Sequence, residues 1–256
     1  MNPPPKKSFG QHFLHDPSVV KKILAAAAIE SGEQVLEIGP GTGILTEALV
    51  AAGARVTAVE ADRDLIAPLK KKFGSRIDLV HADFLHYSIP PQLQNFAYKI
   101  VANLPYNITS DFFQRVFTLR QRPSRMIVMV QREVADRITG KPPNMSLLTV
   151  VCQLYAEAAK VLNVPPGAFR PAPKVDSAVI RLDIFKGGDV AATERIIALA
   201  KTGFSSKRKQ LHNNLTAQGY GSSERIKAAL VQLGYRQDAR AENVHTKDWR
   251  GLSLLL

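Results

Sequence analysis

The segment "NLPYNI", residues 103–108, places a side-chain amide, a proline and an aromatic ring directly after an apolar run. If the substrate is the exocyclic amine of adenine, its lone pair is delocalised into the ring and the nitrogen is a poor nucleophile. Two acceptors aimed at its N–H bonds, the Asn103 side-chain oxygen and the Leu104 carbonyl, favour a tetrahedral nitrogen. Pro105 fixes the turn, and Tyr106 stacks on the flipped base. We interpret the segment as a base clamp; the alternative is an ordinary loop.

A glycine loop precedes this segment in "VLEIGPGTGILTEAL", which has the order strand, loop, helix. Gly39, Gly41 and Gly43 allow a tight turn and let backbone N–H groups approach an anionic ligand at a helix N-terminus. The G-x-G-x-G spacing differs from the G-x-G-x-x-G of dinucleotide enzymes, whose third glycine permits close helix packing beneath a pyrophosphate. A ligand with a carboxylate suits the shorter loop better, and a plain turn is the alternative.

Two acidic residues end the next two predicted strands. Glu60 can accept hydrogen bonds from both hydroxyls of a ribose. Asp83 can accept one from an adenine amino group, while Phe84 borders the base. The ordinary alternatives are a solvated strand end for Glu60 and a helix or turn cap for Asp83. Because open α/β sheets bind ligands at the carboxyl ends of their strands, the loop and both acids together predict S-adenosylmethionine as cofactor.

The elements that must position these residues alternate between short apolar strands and helices, which predicts a parallel, doubly wound α/β sheet with helices on both faces. Strands are predicted at "QVLEI", "RVTAVE", "RIDLVH", "YKIVAN", "RMIVMV", "AAKVLNV" and "SAVIRLDIF". Helices are predicted at "ILTEALVAA", "DRDLIAPLKKKF", "SDFFQRVFTL", "REVADRI" and "MSLLTVVCQLY". A basic, Pro-rich arm, residues 1–16, precedes a further helix with Asp16 as its N-cap.

The final part of the chain shows only helical periodicity, and residues 187–256 hold 11 Lys and Arg against 6 Asp and Glu. We therefore predict two domains, an arm with a methyltransferase domain at 1–186 and a small basic helical RNA-binding domain at 187–256. In "SSKRKQLHNN", Lys207, Arg208 and Lys209 are candidate RNA contacts. A solvated helix face is an equal alternative for them.

Composition limits the partners. The 256-residue chain has a net charge of +12 at pH 7, which favours an anionic partner, with nucleic acid ahead of membrane. The single Cys152 can form no intrachain disulfide, and the scattered histidines lack metal-ligand spacing, so neither a disulfide nor a zinc site is expected. The start has no apolar signal segment, and the apolar runs are too short to span a bilayer. We expect a cytoplasmic monomer.

The chain resembles the ribosomal RNA adenine N6-dimethyltransferases, in particular the housekeeping small-subunit type. The resemblance extends over nearly the whole chain and rests on "FGQHFL", "EIGPGTGILTEAL", "VEAD", "ADFL", "NLPYNI", "VPPGAFRPAPKVDSAVIRL" and "FSSKRKQLHNNL". It implies a seven-stranded methyltransferase fold with a small helical C-terminal domain. The implied substrate is a pair of adjacent adenosines, each dimethylated, in a hairpin near the 3′ end of 16S-type rRNA in an immature small subunit.

Carried over residue by residue, the resemblance places cofactor contacts on Gln11, His12, Leu14, Gly39, Glu60, Asp83 and Asn103. It also makes Phe169 the second aromatic face on the target base, although "VPPGAFRPAP" could be a rigid connector with Phe169 in the core. Two positions depart from the family pattern. His12 stands where many members have Asn, which leaves open whether its ring or its backbone makes the contact. Asp111 stands where a Pro often occurs.

Two other functions stay open. The first is a methyltransferase of the same fold that acts on large-subunit rRNA, the macrolide-resistance type; "PKVDSAV" and "KRKQLHNNL" favour the small-subunit type instead. The second is an RNA- or DNA-binding assembly or transcription factor on a retired methyltransferase fold. That function predicts decay at Glu60, Asp83, Asn103 or Tyr106, and all four are intact. A dinucleotide oxidoreductase is disfavoured by the glycine spacing and by the lack of a proton-relay candidate.

Overall fold

The computed structural model describes residues 4–6, 9–90, 93, 97–187 and 189–256. The chain divides into two compact units, one formed by Met1–Ala135 with Ala159–Ile184 and the other by Asp136–Ala158 with Phe185–Leu256. Within the described ranges, no helix combines the length and the apolar character that a membrane crossing requires.

The main sheet has seven strands. In chain order, the strands of the protein are β1 (Phe13–Leu14), β2 (Gln34–Ile38), β3 (Arg55–Glu60), β4 (Asp78–His81), β5 (Tyr98–Asn103), β6 (Arg125–Gln131), β7 (Ala156–Val164), β8 (Phe169–Arg170) and β9 (Ser177–Ile184). The order across the main sheet is β4-β3-β2-β5-β6-β9-β7, and β1 pairs with β8 in a separate two-stranded sheet. The strands from β2 to β6 are parallel to one another, which brings their carboxyl ends to one edge.

Helices connect and cover these strands. Within the described residues, the α-helices with defined ends are α1 (Pro17–Ala27), α2 (Ile44–Ala51), α3 (Arg63–Phe73), α4 (Thr109–Phe117), α5 (Arg132–Ile138), α6 (Leu147–Tyr155), α7 (Val190–Gly203), α8 (Leu211–Thr216), α9 (Ser223–Gln232) and α10 (Thr246–Leu255). Asp16 is the N-cap of α1, as predicted, because its side chain accepts a hydrogen bond from Ser18 N at 2.8 Å.

Apolar side chains explain the central strands. In β5 and β6, every residue from Tyr98 to Ala102 and from Met126 to Val130 is buried, as expected for strands covered on both faces. The predicted strands are all confirmed, with ends that differ by at most two residues. The predicted doubly wound sheet is confirmed, but it is parallel only from β2 to β6, since β9 pairs antiparallel with β6 in the register Val128↔Ile180. β9 follows its other sheet neighbour, β7, through residues 165–176, which contain no α-helix. Because consecutive parallel strands usually need a helical crossover, this short connection favours a reversal of direction at β9.

The sequence patterns did not indicate two short features. The strands β1 and β8 contain two residues each and pair Phe13 with Arg170 and Leu14 with Phe169. A two-residue strand has no periodicity to detect, so the arm was predicted without any strand. The six-residue helix α8 is likewise too short for a clear helical pattern.

The second unit has its own core, which centres on the fully buried Trp249 and its neighbour Phe204, with ring centroids 5.8 Å apart. Met145 and Val150, which lie before and within α6, belong to the same core. The second compact unit thus combines Asp136–Ala158 with Phe185–Leu256, and residues of α6 share a core with the helices that follow residue 185. The lone Cys152 is fully buried in α6, and burial raises the pKa of its thiol.

Candidate active site

A cleft lies at the carboxyl ends of β2, β3 and β5. Its walls contain eleven of the predicted site residues, which are Gln11, His12, Leu14, Gly39, Gly41, Glu60, Asp83, Asn103, Leu104, Pro105 and Tyr106. The arm forms one wall, the glycine loop a second and the "NLPY" turn a third. The cleft therefore combines the predicted cofactor residues with the predicted base clamp.

The glycine loop needs glycine for two reasons. Gly39, Gly41 and Gly43 have φ angles of +69°, +59° and +79°, in the left-handed region that favours glycine. At Gly43, a Cβ atom would lie 2.5 Å from the ring of Phe73, so this glycine also lets α3 pack closely. The loop leads directly into α2, whose first N–H groups have no partners within the helix and can bind an anion.

Glu60 ends β3 and is 6% exposed. Its Oε2 accepts a hydrogen bond from Gly41 N at 3.1 Å, and its Oε1 accepts one from Asp62 N at 2.9 Å. Burial raises the pKa of Glu60, and the backbone hydrogen bonds from Asp62 and Gly41 oppose that rise. Each carboxylate oxygen still has a lone pair available, so the side chain can accept from a ribose while it stabilises the glycine loop.

Glu37, which sequence reasoning missed, is a buried carboxyl group within β2 and lines the same cleft. It is 1% exposed, and neither of its oxygens makes a hydrogen bond of ordinary geometry within the described residues. Burial raises its pKa to about 8, against the opposing effect of Thr46, while the charge of Glu60 adds to the rise. The one acid inside the apolar strand "QVLEI" was the signal that could have identified it. With a pKa near 8, this carboxyl is mostly protonated at neutral pH in the empty cleft, and a cation bound beside it would favour its ionised form.

Asp83 lines the cleft and also caps a turn. Its Oδ1 accepts from Leu85 N at 2.9 Å, and its Oδ2 lies 3.2 Å from His86 Nδ1. The capping alternative therefore describes part of its role, although the half-exposed carboxylate can accept a further hydrogen bond. The neighbouring Phe84 is buried against Phe112, with ring centroids 5.6 Å apart, so it forms a fixed part of the cleft.

Asn103 ends β5 with its amide group in a defined orientation. The Asn103 Nδ2 donates a hydrogen bond to the backbone oxygen of His12 at 3.2 Å, which leaves its Oδ1 available as an acceptor. The backbone N of the buried Leu104 donates to Met129 O at 3.2 Å and holds the turn to β6. Pro105 follows with extended backbone, φ −56° and ψ 134°, and a single 3-10 turn begins at Tyr106.

Tyr106 is held on two sides. Its hydroxyl lies 2.6 Å from Ser177 Oγ at the start of β9, and its ring stacks on the His12 imidazole with a centroid distance of 5.7 Å and an interplanar angle of 24°. Burial raises the pKa of Tyr106, so the phenol keeps its proton at neutral pH. The imidazole is fixed in turn because His12 Nδ1 donates to Pro171 O at 2.8 Å. Both the ring and the backbone of His12 therefore contact clamp residues.

Gln11 faces the cleft, but its amide group is already engaged. Its Nε2 donates to Asp62 Oδ2 at 2.8 Å, and its Oε1 accepts from the backbone N of Lys6 at 2.7 Å. Leu14 is buried in the core beneath the cleft, and a Cβ atom at Gly41 would lie 3.1 Å from the ring of Phe13. The arm thus packs tightly against the glycine loop.

Four predicted residues lie outside the cleft walls. Phe169 is 3% exposed, packs in the core of the first unit and is not among the residues that line the cleft. Lys207, Arg208 and Lys209 are exposed on a loop of the second unit, between α7 and α8. The buried Asn214 anchors this loop, since its Nδ2 donates to the carbonyls of Gly203 and Ser206 at 2.7 and 3.2 Å.

The chain is similar to known proteins over nearly its full length. Residues 4–254 match the family described as "Ribosomal RNA adenine dimethylase". The "Ribosomal RNA small subunit methyltransferase A" of Thermosynechococcus vestitus is 40% identical over 260 residues, which cover 98% of this chain and 96% of that protein. The solved 23S rRNA methyltransferase ErmE is 30% identical with a TM-score of 0.80, over 95% of this chain and 99% of that chain.

A dimethyladenosine transferase from Plasmodium falciparum is 27% identical, with a TM-score of 0.78 over 94% of this chain and 96% of that chain. The family match and the relative that is 40% identical each cover almost the entire sequence. The protein with this cleft and this "NLPY" turn belongs to the ribosomal RNA adenine dimethylase family.

Proposed function

We propose that the protein transfers methyl groups from S-adenosylmethionine to N6 of two adjacent adenosines in a hairpin near the 3′ end of small-subunit rRNA. The substrate is the rRNA of an immature small subunit, and the enzyme acts in the cytoplasm as a monomer. One observation carries the proposal: the free acceptor of Asn103 and the ring of Tyr106 line the same cleft as the glycine loop and Glu60.

The cofactor is assigned to the cleft from the groups that line it. The glycine loop and the start of α2 suit the carboxylate of its amino-acid tail, and its positive charge would favour the ionised form of the buried Glu37 beside it. Glu60 would accept from the ribose hydroxyls, and Asp83 from the adenine amine. When bound, S-adenosylmethionine supplies an electrophilic methyl group on a sulfonium.

The residues of the chain act mainly by positioning. Asn103 Oδ1 and the Leu104 carbonyl accept hydrogen bonds from the two N–H groups of the target amine and favour a tetrahedral, nucleophilic nitrogen. Tyr106 stacks on the base. Ser177 and His12 hold that tyrosine before the substrate arrives. No strong base is needed, because the amine loses its proton readily once it is methylated, and the remaining contribution is in-line approach.

RNA binding is assigned to the exposed loop that carries Lys207, Arg208 and Lys209. Three adjacent cations suit a phosphate backbone, and the buried Asn214 limits the conformations of the loop that presents them. A cationic loop that is held in place loses less entropy on binding than a free chain does. The net charge of +12 supports the same partner.

A second candidate substrate is large-subunit rRNA, which the similarity to the 23S rRNA methyltransferase ErmE favours. The small-subunit substrate has stronger support, because the relatives at about 40% identity are named for the small subunit. A retired, non-catalytic fold is disfavoured because the acids and the clamp of the cleft are all in place.

The decisive experiment offers labelled S-adenosylmethionine with either purified immature small subunits or protein-free large-subunit rRNA. Mass spectrometry of the digested rRNA should detect N6,N6-dimethyladenosine at two adjacent positions of the small-subunit rRNA alone. Label in the large-subunit rRNA alone would favour the second candidate. No methylation of either substrate by a protein that binds both cofactor and RNA would favour the retired fold.

A further inference from the structure

Asp62 connects the arm to the cofactor side of the cleft. It lies two residues after Glu60, caps α3 and is 1% exposed. Its Oδ1 lies 2.5 Å from Lys6 Nζ, and its Oδ2 accepts from Gln11 Nε2 at 2.8 Å. On its other side, its backbone N donates to Oε1 of Glu60 at 2.9 Å. One buried residue thus contacts both the arm and the proposed ribose acceptor.

We propose that Asp62 is a positioning residue that holds residues 9–14 of the arm against the cofactor cleft and thereby slows the exchange of cofactor. The inference rests on the proposed function only for the identity of that cofactor. Nothing in the sequence patterns assigned a role to this aspartate, although "VEAD" is part of the family resemblance.

The electrostatics make the arm and Asp62 dependent on each other. Burial by itself would raise the pKa of Asp62, but hydrogen bonds from Lys6 and Gln11 outweigh it and leave the pKa below its ordinary value. The carboxylate therefore stays ionised at neutral pH and keeps its attraction for Lys6. If the arm departed, the carboxylate would lose the charge-assisted hydrogen bonds from Lys6 and Gln11 and keep only the one from Asp64 N.

The consequence for the cofactor follows from what the held segment does. Residues Phe9 to Leu14 form one wall of the cleft. Within that wall, Phe13 packs on Gly41, and the backbone oxygen of His12 accepts the hydrogen bond from Asn103. Loosening the arm at Asp62 should therefore open the cofactor side and disturb the clamp only indirectly.

A capping role alone is the competing explanation, because the Asp62 side chain also accepts from Asp64 N at 3.1 Å. Two variants separate the roles. Asp62→Asn keeps an oxygen that can cap α3 but removes the charge, whereas Lys6→Met leaves the cap intact and removes the ion pair. Asp64→Asn is the matched control. Asp64 also forms an ion pair with Lys6, at 2.7 Å, but its side chain is 56% exposed, so this ion pair should contribute little to holding the arm.

The experiment measures the dissociation rate and affinity of S-adenosylhomocysteine, together with amide hydrogen exchange of residues 9–14 in the cofactor-free protein. Asp62→Asn and Lys6→Met should each weaken binding about tenfold, mostly through faster dissociation, and should speed exchange in the arm. With saturating cofactor, kcat should stay within about twofold of wild type while KM for S-adenosylmethionine rises. The Asp64→Asn control should behave as wild type.

Unchanged affinity and unchanged exchange in Lys6→Met would overturn the inference, and so would an effect confined to Asp62→Asn with a lowered Tm, which indicates a cap alone. Failure of the wild-type protein to bind S-adenosylhomocysteine would instead contradict the proposed cofactor. The hydrogen-exchange comparison would still decide whether Asp62 holds the arm, because it needs no ligand.

Discussion

The hydroxyl of Tyr106 lies 2.6 Å from Oγ of Ser177, which is fully buried at the start of β9. The aromatic ring of the clamp, which follows β5, is thus oriented from a strand that is two positions away in the sheet. This contact gives the antiparallel β9 a role in the site, because its reversed direction brings its first residue to the edge where β5 and β6 end.

Ser177→Ala should therefore slow methyl transfer without weakening cofactor binding. Loss of one hydrogen bond costs about 1 kcal/mol, which corresponds to about fivefold in rate if Tyr106 must be re-oriented in each turnover. Single-turnover kinetics with saturating cofactor would measure it. Ser124→Ala is a suitable control, since Ser124 Oγ donates to Tyr98 O at 3.1 Å, before β6 begins. A wild-type rate in Ser177→Ala would mean that the contact is dispensable.

Asn103→Ala tests the clamp directly. The lost acceptor acts mainly in the transition state, where the nitrogen becomes tetrahedral. We therefore expect the barrier to rise by at least about 2–3 kcal/mol and the rate to fall on the order of 100-fold. Some cofactor affinity should also be lost, because the hydrogen bond from Asn103 to His12 disappears. Saturating cofactor should nevertheless not restore single-turnover transfer on immature small subunits. The exposed Asn107 of the same motif supplies the control, Asn107→Ala. Near wild-type transfer by Asn103→Ala would leave the segment as a turn.

Glu60→Ala should weaken S-adenosylmethionine binding far more than RNA binding. The loss of two charge-assisted hydrogen bonds costs roughly 2–4 kcal/mol, or about 30- to 1000-fold in affinity. Titration calorimetry measures this loss, and Glu47→Ala on the exposed side of α2 serves as the control. Unaltered affinity in Glu60→Ala would exclude the ribose assignment.

Glu37 predicts a pH dependence of stability in the cofactor-free protein. Its pKa is raised from 4.5 to about 8, so between these values the folded state binds more protons than the unfolded state does. The free energy of unfolding should therefore fall as the pH rises through that window, by at most about 1.4 kcal/mol per pH unit. Denaturant titrations from pH 5 to about pH 8 should show this fall relative to Glu37→Gln. Parallel curves for the two proteins would mean that Glu37 does not titrate there.

Lys207, Arg208 and Lys209 predict the salt dependence of RNA binding. Affinity should fall steeply between about 50 and 200 mM salt. Replacing all three with Gln should make the plot of log affinity against log salt concentration less steep, by an amount that corresponds to up to about three phosphate contacts. A matched triple replacement at the exposed Lys21, Lys70 and Lys71 removes equal charge elsewhere. Equal slopes for the basic-loop variant and the wild type would return this loop to the solvated-face interpretation.

The parts of the site that could be predicted from the sequence are those set by strand ends. Glu60, Asp83 and Asn103 each follow an apolar run, and parallel strands bring such ends together whatever the details of packing. Contacts that depend on the direction of β9 or on the path of the arm could not be foreseen. For this reason, Ser177 and Asp62 emerged only from the structure. Phe169 was assigned to the target base from the family resemblance alone, because it does not follow an apolar strand as the other three residues do. Its ring lies in the core.

The burial of Cys152 has a practical consequence. The thiol is the only one in the chain, is inaccessible in α6 and has a raised pKa, so the folded protein should not react with maleimides at neutral pH. A cysteine introduced at the exposed Ser205, beside the basic loop, would then be the sole site of labelling. A fluorophore attached there could follow the arrival of rRNA in real time without the removal of any native cysteine.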